Sequence, residues 1–527
     1  MGRITIYSIV GCPHCIAAKT RLKEENLQYF DVSVDKFPDH VRDWVREKTG
    51  KTSVPQIFFN STYIGGNKEL QEALNDEERR KTVLEFLSTE PGDDMPVLPS
   101  PGEALSVDGE LEAEFELKTD PNFHLIERMI EKGLPGTNSV SGYCRLWTSG
   151  VKHSVRQQDL LNFLEAEGET EGERTVEQLV GERFLMRVTG ESELYVVTGL
   201  ESRDQSAALN TFKLSSAVIP SPELMSQHIR KLLLQLFSKF LSGDGTSVDY
   251  AGIKQSPLWE QFRRMSVELQ RVDIGSMTEE EKLAFFINIY NVLVIHATVE
   301  KGAGTSNYTR YKFFSGSSYN IGGLVWSLND IENGILRANR SSMATLYMKP
   351  FKQSDPRMAF ILKQVEPRIH FALNCGAKSC PPIKTFSGDD ISNQLDLATA
   401  AFLENEDALL VSEDRGEVRL SQLFQWYRLD FGQDDGEVLR WILDHVTEPT
   451  KKKELEGKKY LDPIKEHLPW NPMVVKDEEG RAGWEMVRES FKSSQTNQSR
   501  DVESDLTESD SLAGTVLNKV RALLELW

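Results

Sequence analysis

Apolar and polar positions change rhythm several times along the chain, and the changes divide it. Ile4-Thr5-Ile6-Tyr7 is a short β-rich run. Pro13 to Glu25 has helical spacing, with proline at the first helical position, where its missing N–H costs nothing. Tyr29–Val34 predicts a second strand and Val41–Lys48 a second helix. Gln56–Phe59 and Thr62–Ile64, split by Asn60-Ser61, predict a hairpin, and Leu70–Leu74 with Arg79–Leu87 close the unit with helix. Strand-helix-strand followed by a hairpin and helix is a compact α/β pattern, assigned to residues 1–88.

Beyond Ser88 the pattern breaks. Pro91, Pro96, Pro99 and Pro101 lie among Gly, Asp and Glu, which predicts a linker over 89–120. Residues 121–202 resume with helix at Phe123–Lys132, a gap holding Gly142, Tyr143 and Trp147, and helices at Arg156–Ala166 and Val176–Val180. A hairpin of Phe184–Val188 and Glu193–Val197 around Gly190 ends this α+β unit, and a second linker is expected over 203–222. Residues 223–470 read as mainly α with a small sheet, with helices at Glu223–Leu241, Pro257–Glu268 and onward from Glu279. The last is announced by a capping box, Thr278 with Glu281 three residues on. Its apolar run Leu283–Val299 is broken by Asn288, Asn291 and His296, which argues against a membrane span. Residues 488–511 are Ser/Thr/Gln/Asp-rich and predicted disordered, and 512–527 regain helical periodicity.

Length and charge agree with several domains. A chain of 527 residues exceeds what one hydrophobic core organises. The 61 basic and 81 acidic residues give a net charge of −20, against the basic footprint that sequence-independent nucleic-acid binding requires. Residues 1–87 carry 13 basic and 13 acidic groups, so the excess acid lies downstream. Five cysteines are too few for a disulfide scaffold of this size. Ile4–Val10, met at once by Gly-Cys-Pro, does not resemble a signal peptide, so a reducing cytoplasm is expected, with at most peripheral membrane association.

The candidate chemistry is Cys12-Pro13-His14-Cys15, after a strand and at the first turn of a helix. Exposed N–H groups and the helix dipole there favour a thiolate on Cys12, the form that attacks disulfides. Cys15, three residues on, can reach back as a resolving thiol, and His14 adds a polar ring that would further favour the thiolate. Half of a zinc site is the competing reading, but no second C-x-x-C or paired histidines lie nearby, and no metal is expected.

With Ser53-Val54-Pro55 before one strand and Gly65-Gly66-Asn67 after the next, this unit resembles the glutaredoxin family over residues 3–87. The resemblance implies a thioredoxin-like fold, a cis Pro55 packed against Cys12, and glutathione as co-substrate. It also implies that Val54 pairs with glutathione through its backbone, and that Gly66, Asn67 and Lys68 cradle the γ-glutamyl carboxylate. Disulfide-bonded or glutathionylated proteins would be the substrates. Ile9 stands where many members of the family carry a lysine.

Residues 121–200 resemble the DEP domain, a winged-helix module, through Leu125–Lys132, Tyr143, Trp147, Ser154, Asp159–Leu164 and Glu193–Val197. That resemblance implies recruitment to a signalling protein or to an anionic membrane surface. The 8 basic against 12 acidic residues of 121–200 disfavour DNA, and Lys152, His153 and Arg156 form a small basic cluster. Through Phe285–Asn291, Ser327–Glu332, Asp355-Pro356-Arg357, Arg368–Pro382, Ser421–Tyr427 and Asp430-Phe431-Gly432, residues 283–430 resemble domain-of-unknown-function family 547, which brings no established activity. There Ile369, Phe371 and Leu373 alternate with His370, Ala372 and Asn374, predicting a strand that aims His370 and Asn374 one way, with Cys375 and Cys380 following. With Asn288 and Asn291 on one helix face, His370, Cys375 and Cys380 could form a polar structural network, a thiol-hydrolase site or a metal site. The expectation is a dithiol glutaredoxin-type oxidoreductase tethered to a recruitment module. Its alternatives are a redox-responsive scaffold and a C-terminal thiol hydrolase.

Overall fold

The computed structural model describes residues 2–9, 12–34, 37, 39–88, 95–99, 122–132, 154–187, 194–197, 208–211, 221–243, 248–302, 307–341, 348–374, 385–405, 408–412, 417–456 and 466–468. The segments expected to be disordered (488–511) and helical (512–527) lie outside them, as do Tyr143, Trp147, Lys152 and His153.

The N-terminal unit runs β1 (Ile4–Ser8), α1 (Pro13–Glu24), β2 (Tyr29–Ser33), α2 (Asp39–Thr49), β3 (Gln56–Phe59), β4 (Thr62–Gly65), α3 (Asn67–Asn75) and α4 (Glu77–Phe86). Its sheet has the order β2-β1-β3-β4, with β1 parallel to β2 and antiparallel to β3. All of β1 is buried because both sheet faces are covered, which is why its run shows little polar alternation. Ile4, Ile6, Ile57 and Phe59 pack with Ala18 and Leu22 of α1 and Leu70 and Leu74 of α3. Tyr7, Val32 and Phe58 face the other way, onto Val41 and Val45 of α2. The β3–β4 turn falls at Asn60, whose φ of 52° is a conformation asparagine tolerates better than most residues. Its side chain accepts from Arg3 N–H at 2.7 Å and donates to Phe86 O at 2.6 Å. Of the expected linker over 89–120 only 95–99 is described, and it lies against this unit: Tyr7 Oη donates to Val97 O at 2.7 Å.

The second unit comprises α5 (Phe123–Glu131), β5 (Ser154–Arg156), α6 (Gln157–Ala166), α7 (Gly172–Gly181), β6 (Leu185–Arg187) and β7 (Leu194–Val197). The strands form an antiparallel sheet in the order β5-β7-β6. Its core of Phe123, Ile126, Leu160, Leu164, Leu179 and Phe184 also takes in Val267 of the next unit. Arg271 lies 4.0 Å over the Phe184 ring and donates to Glu182 O at 2.8 Å, so these two units share an edge.

The third unit contains α8 (Pro222–Phe240), α9 (Tyr250–Gln255), α10 (Pro257–Val267), α11 (Glu279–Lys301), α12 (Asn307–Gly316), β8 (Ser318–Ile321) and β9 (Leu324–Ser327). After a π-helical turn at Asp330–Leu336 come α13 (Ile391–Leu403), β10 (Leu409–Ser412), β11 (Glu417–Ser421), α14 (Gln422–Trp426), α15 (Arg428–Phe431), α16 (Asp435–His445), α17 (Pro449–Glu456) and β12 (Glu466–Leu468). α11 is the axis of the larger core and starts at the expected capping box. Glu281 N–H donates to Thr278 Oγ1 at 3.1 Å, and Thr278 N–H to Glu281 Oε2 at 2.7 Å. It is long and apolar enough to cross a bilayer, yet its apolar stretch is 89% buried inside the protein.

The expected linker over 203–222 is also stitched in where it is described. The Asn210 side chain donates to Ser266 O and Asn320 O and accepts from Asn320 N–H. The strand expected at Ile369–Leu373 is instead a 3-10 turn over Pro367–Phe371. Pro367 fixes its first position, and the Glu366 carboxylate accepts from Arg368 N–H at 3.1 Å as a cap. Local capping outweighs the alternation of apolar residues.

Candidate active site

α1 begins at Cys12, whose backbone is still extended (φ −77°, ψ 117°) and whose sulfur takes the place of a capping oxygen. Cys15 N–H donates to Cys12 Sγ at 3.3 Å, and the Cys12 sulfur lies 3.9 Å from Val54 O, within reach of a weak thiol-to-carbonyl bond. Val54-Pro55 is cis, as the family resemblance implies. Gln56 holds that segment, its amide donating to Ser53 O at 2.7 Å while Tyr63 Oη donates to its carbonyl.

The two sulfurs are electrostatically unequal. Burial alone would raise the Cys12 thiol. The Cys15 side chain, the N–H groups of Cys15 and His14, and the positive Lys19 together outweigh it and hold Cys12 below the ordinary cysteine range. Burial, with the hydrogen bond and charge of Cys12, pushes Cys15 well above that range. The pair is therefore poised with one sulfur readily ionised and the other keeping its proton. His14 contributes through its backbone, and its ring is exposed. Lys19, which the sequence reading missed, supplies the positive charge that Ile9 cannot. Its place one helical turn beyond Cys15 was the available signal. It also donates to Ser8 Oγ at 2.9 Å and pairs with Asp31.

Gly66 caps α3, and its N–H already donates to Glu69 Oε2 at 2.9 Å. Asn67 opens the helix with its side-chain oxygen accepting from Gln71 at 3.3 Å, and Lys68 is exposed beside it. Among the described residues no group of three His, Cys, Asp or Glu is placed to hold a metal.

Residues 4–64 match the Glutaredoxin family model. "Glutaredoxin 1" of Rickettsia felis is 34% identical over 94 residues, 18% of this chain and 88% of the relative. The chain belongs to the glutaredoxin family. A Pseudomonas aeruginosa protein named "Glutaredoxin" is 34% identical over 70 residues, 13% of this chain and 82% of its own. Schizosaccharomyces pombe "Glutaredoxin-2" is 32% identical over 85 residues, 16% and 77% respectively. All three alignments cover a small share of the chain. The glutaredoxin domain is thus a thiol-disulfide oxidoreductase domain with a thioredoxin-like α/β fold, at the front of a multidomain protein. Residues 274–403 match a second family model, "Protein of unknown function, DUF547".

In that C-terminal part Asn288, Asn291 and His370 are each held by hydrogen bonds to other segments. Asn288 donates to Phe386 O at 2.7 Å and accepts from Phe386 N–H at 3.0 Å. Asn291 does the same with Ala372 O at 3.0 Å and Asn374 N–H at 2.7 Å. Each buried amide therefore clamps two backbone groups that would cost about 1–3 kcal/mol apiece if left unpaired. Asn374 thus meets Asn291 through its backbone, while His370 points to a different partner. Its Nε2 is 2.9 Å from Asp430 Oδ2, and its ring stacks on Tyr427 at 3.9 Å. Asp430 also accepts from Arg337 at 2.6 Å and from Arg340 at 3.0 Å. The expected alignment of His370 with Asn374 on one strand face is overturned with the strand itself. Cys375 and Cys380 lie outside the described residues.

Proposed function

We propose that the protein is a dithiol, glutathione-linked thiol-disulfide oxidoreductase whose nucleophile is Cys12 and whose resolving thiol is Cys15. The observation that carries the reading is the opposite displacement of the two thiols, with Cys15 N–H on Cys12 Sγ at 3.3 Å. The Cys12 thiolate attacks the glutathione sulfur of a mixed disulfide R–S–S–G. A Cys12–glutathione disulfide forms, and R–S⁻ leaves and takes up a proton. A second glutathione thiolate then attacks the same sulfur of glutathione, releasing oxidised glutathione and restoring the Cys12 thiolate. With a protein disulfide, the Cys12 thiolate forms a mixed disulfide with one protein sulfur and releases the other as a thiolate that takes up a proton. Cys15 then loses its proton and attacks Cys12 Sγ, freeing the second protein thiolate to be protonated and leaving a Cys12–Cys15 disulfide for glutathione to reduce.

Val54 is the backbone partner we assign to glutathione, beside the cis Pro55. Because Gly66 N–H is taken by Glu69, the γ-glutamyl carboxylate would use the N–H groups of Asn67 and Lys68 at the front of α3. For residues 121–202 we propose a DEP-like winged helix that recruits the enzyme in the cytoplasm to a signalling protein or an anionic surface. Three helices with the closing β6–β7 hairpin favour it.

The test uses the full chain and glutathione-dependent reduction of a small glutathione mixed disulfide. Cys12→Ser should abolish turnover. Cys15→Ser should keep it while losing reduction of protein disulfides. Undiminished turnover in Cys12→Ser would refute the assignment.

A further inference from the structure

Cys12 is 0% exposed, an unexpected state for a thiol that must meet a disulfide. Parts of the C-terminal unit meet the two segments that flank it, α1 and the approach to cis Pro55. On α1, Ile16 and Thr20 continue the stripe that starts at Cys12, since positions four apart stack on one helix face. Ile16 packs against the large core cluster of the C-terminal unit, and Thr20 meets the backbone after α8 closely. A Cβ built on Gly243 would lie 3.2 Å from Thr20 Cγ2. On the other side of the sulfur stands the segment leading into cis Pro55. There Glu404, the C-cap of α13, accepts from Thr52 N–H at 2.9 Å, Thr52 Oγ1 at 2.9 Å and Ser53 N–H at 3.1 Å.

A carboxylate held by two consecutive backbone N–H groups and a hydroxyl is seated as a charged ligand would be. These donors lie one and two residues before Val54, whose carbonyl faces the sulfur. Glu404 also bears on the site's charge, helping to push the Tyr63 phenol upward after burial and Glu69.

We propose that the C-terminal unit is a tethered cover over the glutaredoxin site, latched by Glu404. The latch opens for disulfides that carry their own carboxylate, because such a substrate replaces the bonds that Glu404 gives up. Neutral disulfides lack that compensation and are disfavoured. The specificity part rests on the oxidoreductase reading above; the cover itself does not.

The decisive experiment measures iodoacetamide labelling of Cys12 in the full chain, resolved by peptide mass spectrometry, without glutathione or turnover. Glu404→Ala should speed labelling by at least about tenfold, the factor that one net hydrogen bond to a charged group is worth in an opening equilibrium. Thr52→Val, which removes only the hydroxyl donor, should act in the same direction and less, and it decides the matter if Glu404→Ala fails to fold. Equal labelling rates in folded wild-type and variant proteins would overturn the cover. In single-turnover oxidation of the reduced protein, without free glutathione, Glu404→Ala should narrow the rate preference for a glutathionylated peptide over hydroxyethyl disulfide. An unchanged preference beside faster labelling would overturn the specificity part. Loss of the oxidoreductase reading would show separately, as turnover indifferent to Cys12→Ser.

Discussion

Two sulfurs three residues apart behave differently because one caps a helix and the other lies inside its first turn. Cys12 receives N–H donors and a distant lysine; Cys15 receives a negative neighbour and no compensating solvent. At this scale Lys19 is the residue to probe. Its charge favours the Cys12 thiolate, so Lys19→Met should move the alkylation midpoint of Cys12 to higher pH. A midpoint unmoved by the substitution would remove Lys19 from the site. The thiol pair was legible from its short local motif, while the cis proline and the two glycines were legible only through the family resemblance. Lys19 was half legible, through helical spacing alone. Gln56 and Glu404 were not: one works by a side-chain turn back to Ser53, and the other reaches Thr52 from 352 residues away.

Elements were legible where the hydrophobic period and the caps agreed. β1, α1, the β3–β4 hairpin and α11 with its capping box follow their patterns. Ile369–Leu373 failed because alternation over five residues is weak evidence beside a proline and a capping glutamate. The polar interruptions of α11 also have a physical reason. Asn288 and Asn291 clamp neighbouring backbone, and His296 Nδ1 lies 2.7 Å from Tyr319 Oη in full burial. Burial, then the charges of Arg263, Lys301 and Lys254, lowers His296 to about 3, so the native ring is neutral. The unfolded ring has an ordinary pKa of about 6.5 and binds the extra proton as pH falls, so acidification destabilises the native state. The slope from this group is about 1.4 kcal/mol per pH unit between roughly pH 6.5 and pH 3. Urea denaturation of the full chain between pH 7 and pH 5 should show a steeper loss for wild type than for His296→Gln. Parallel profiles would contradict the neutral buried ring.

Across the whole molecule, the glutaredoxin domain is a small unit set against a much larger one. Ile16, Thr20 and the Thr52-Ser53 segment of this unit meet the large core cluster, Gly243 after α8 and Glu404 at the end of α13. Arg271, Asp273 and Val267 in turn join the C-terminal unit to the middle one. Such long-range docking leaves no periodic trace in the sequence, and the Pro-rich stretch before residue 121 reads only as separation. The buried His370–Asp430–Arg337 group likewise draws its members from distant segments, which proximity in sequence does not reveal.

The proposed exchange chemistry depends on Cys12 being the more acidic thiol in the intact protein. Its iodoacetamide labelling, followed by peptide mass spectrometry from pH 4 to pH 10, reads the midpoint independently of the absolute rate. The expected midpoint lies below the value of about 8.5 for free cysteine, with Cys15 still unlabelled there. A Cys12 midpoint at or above 8.5, or Cys15 titrating first, would contradict it.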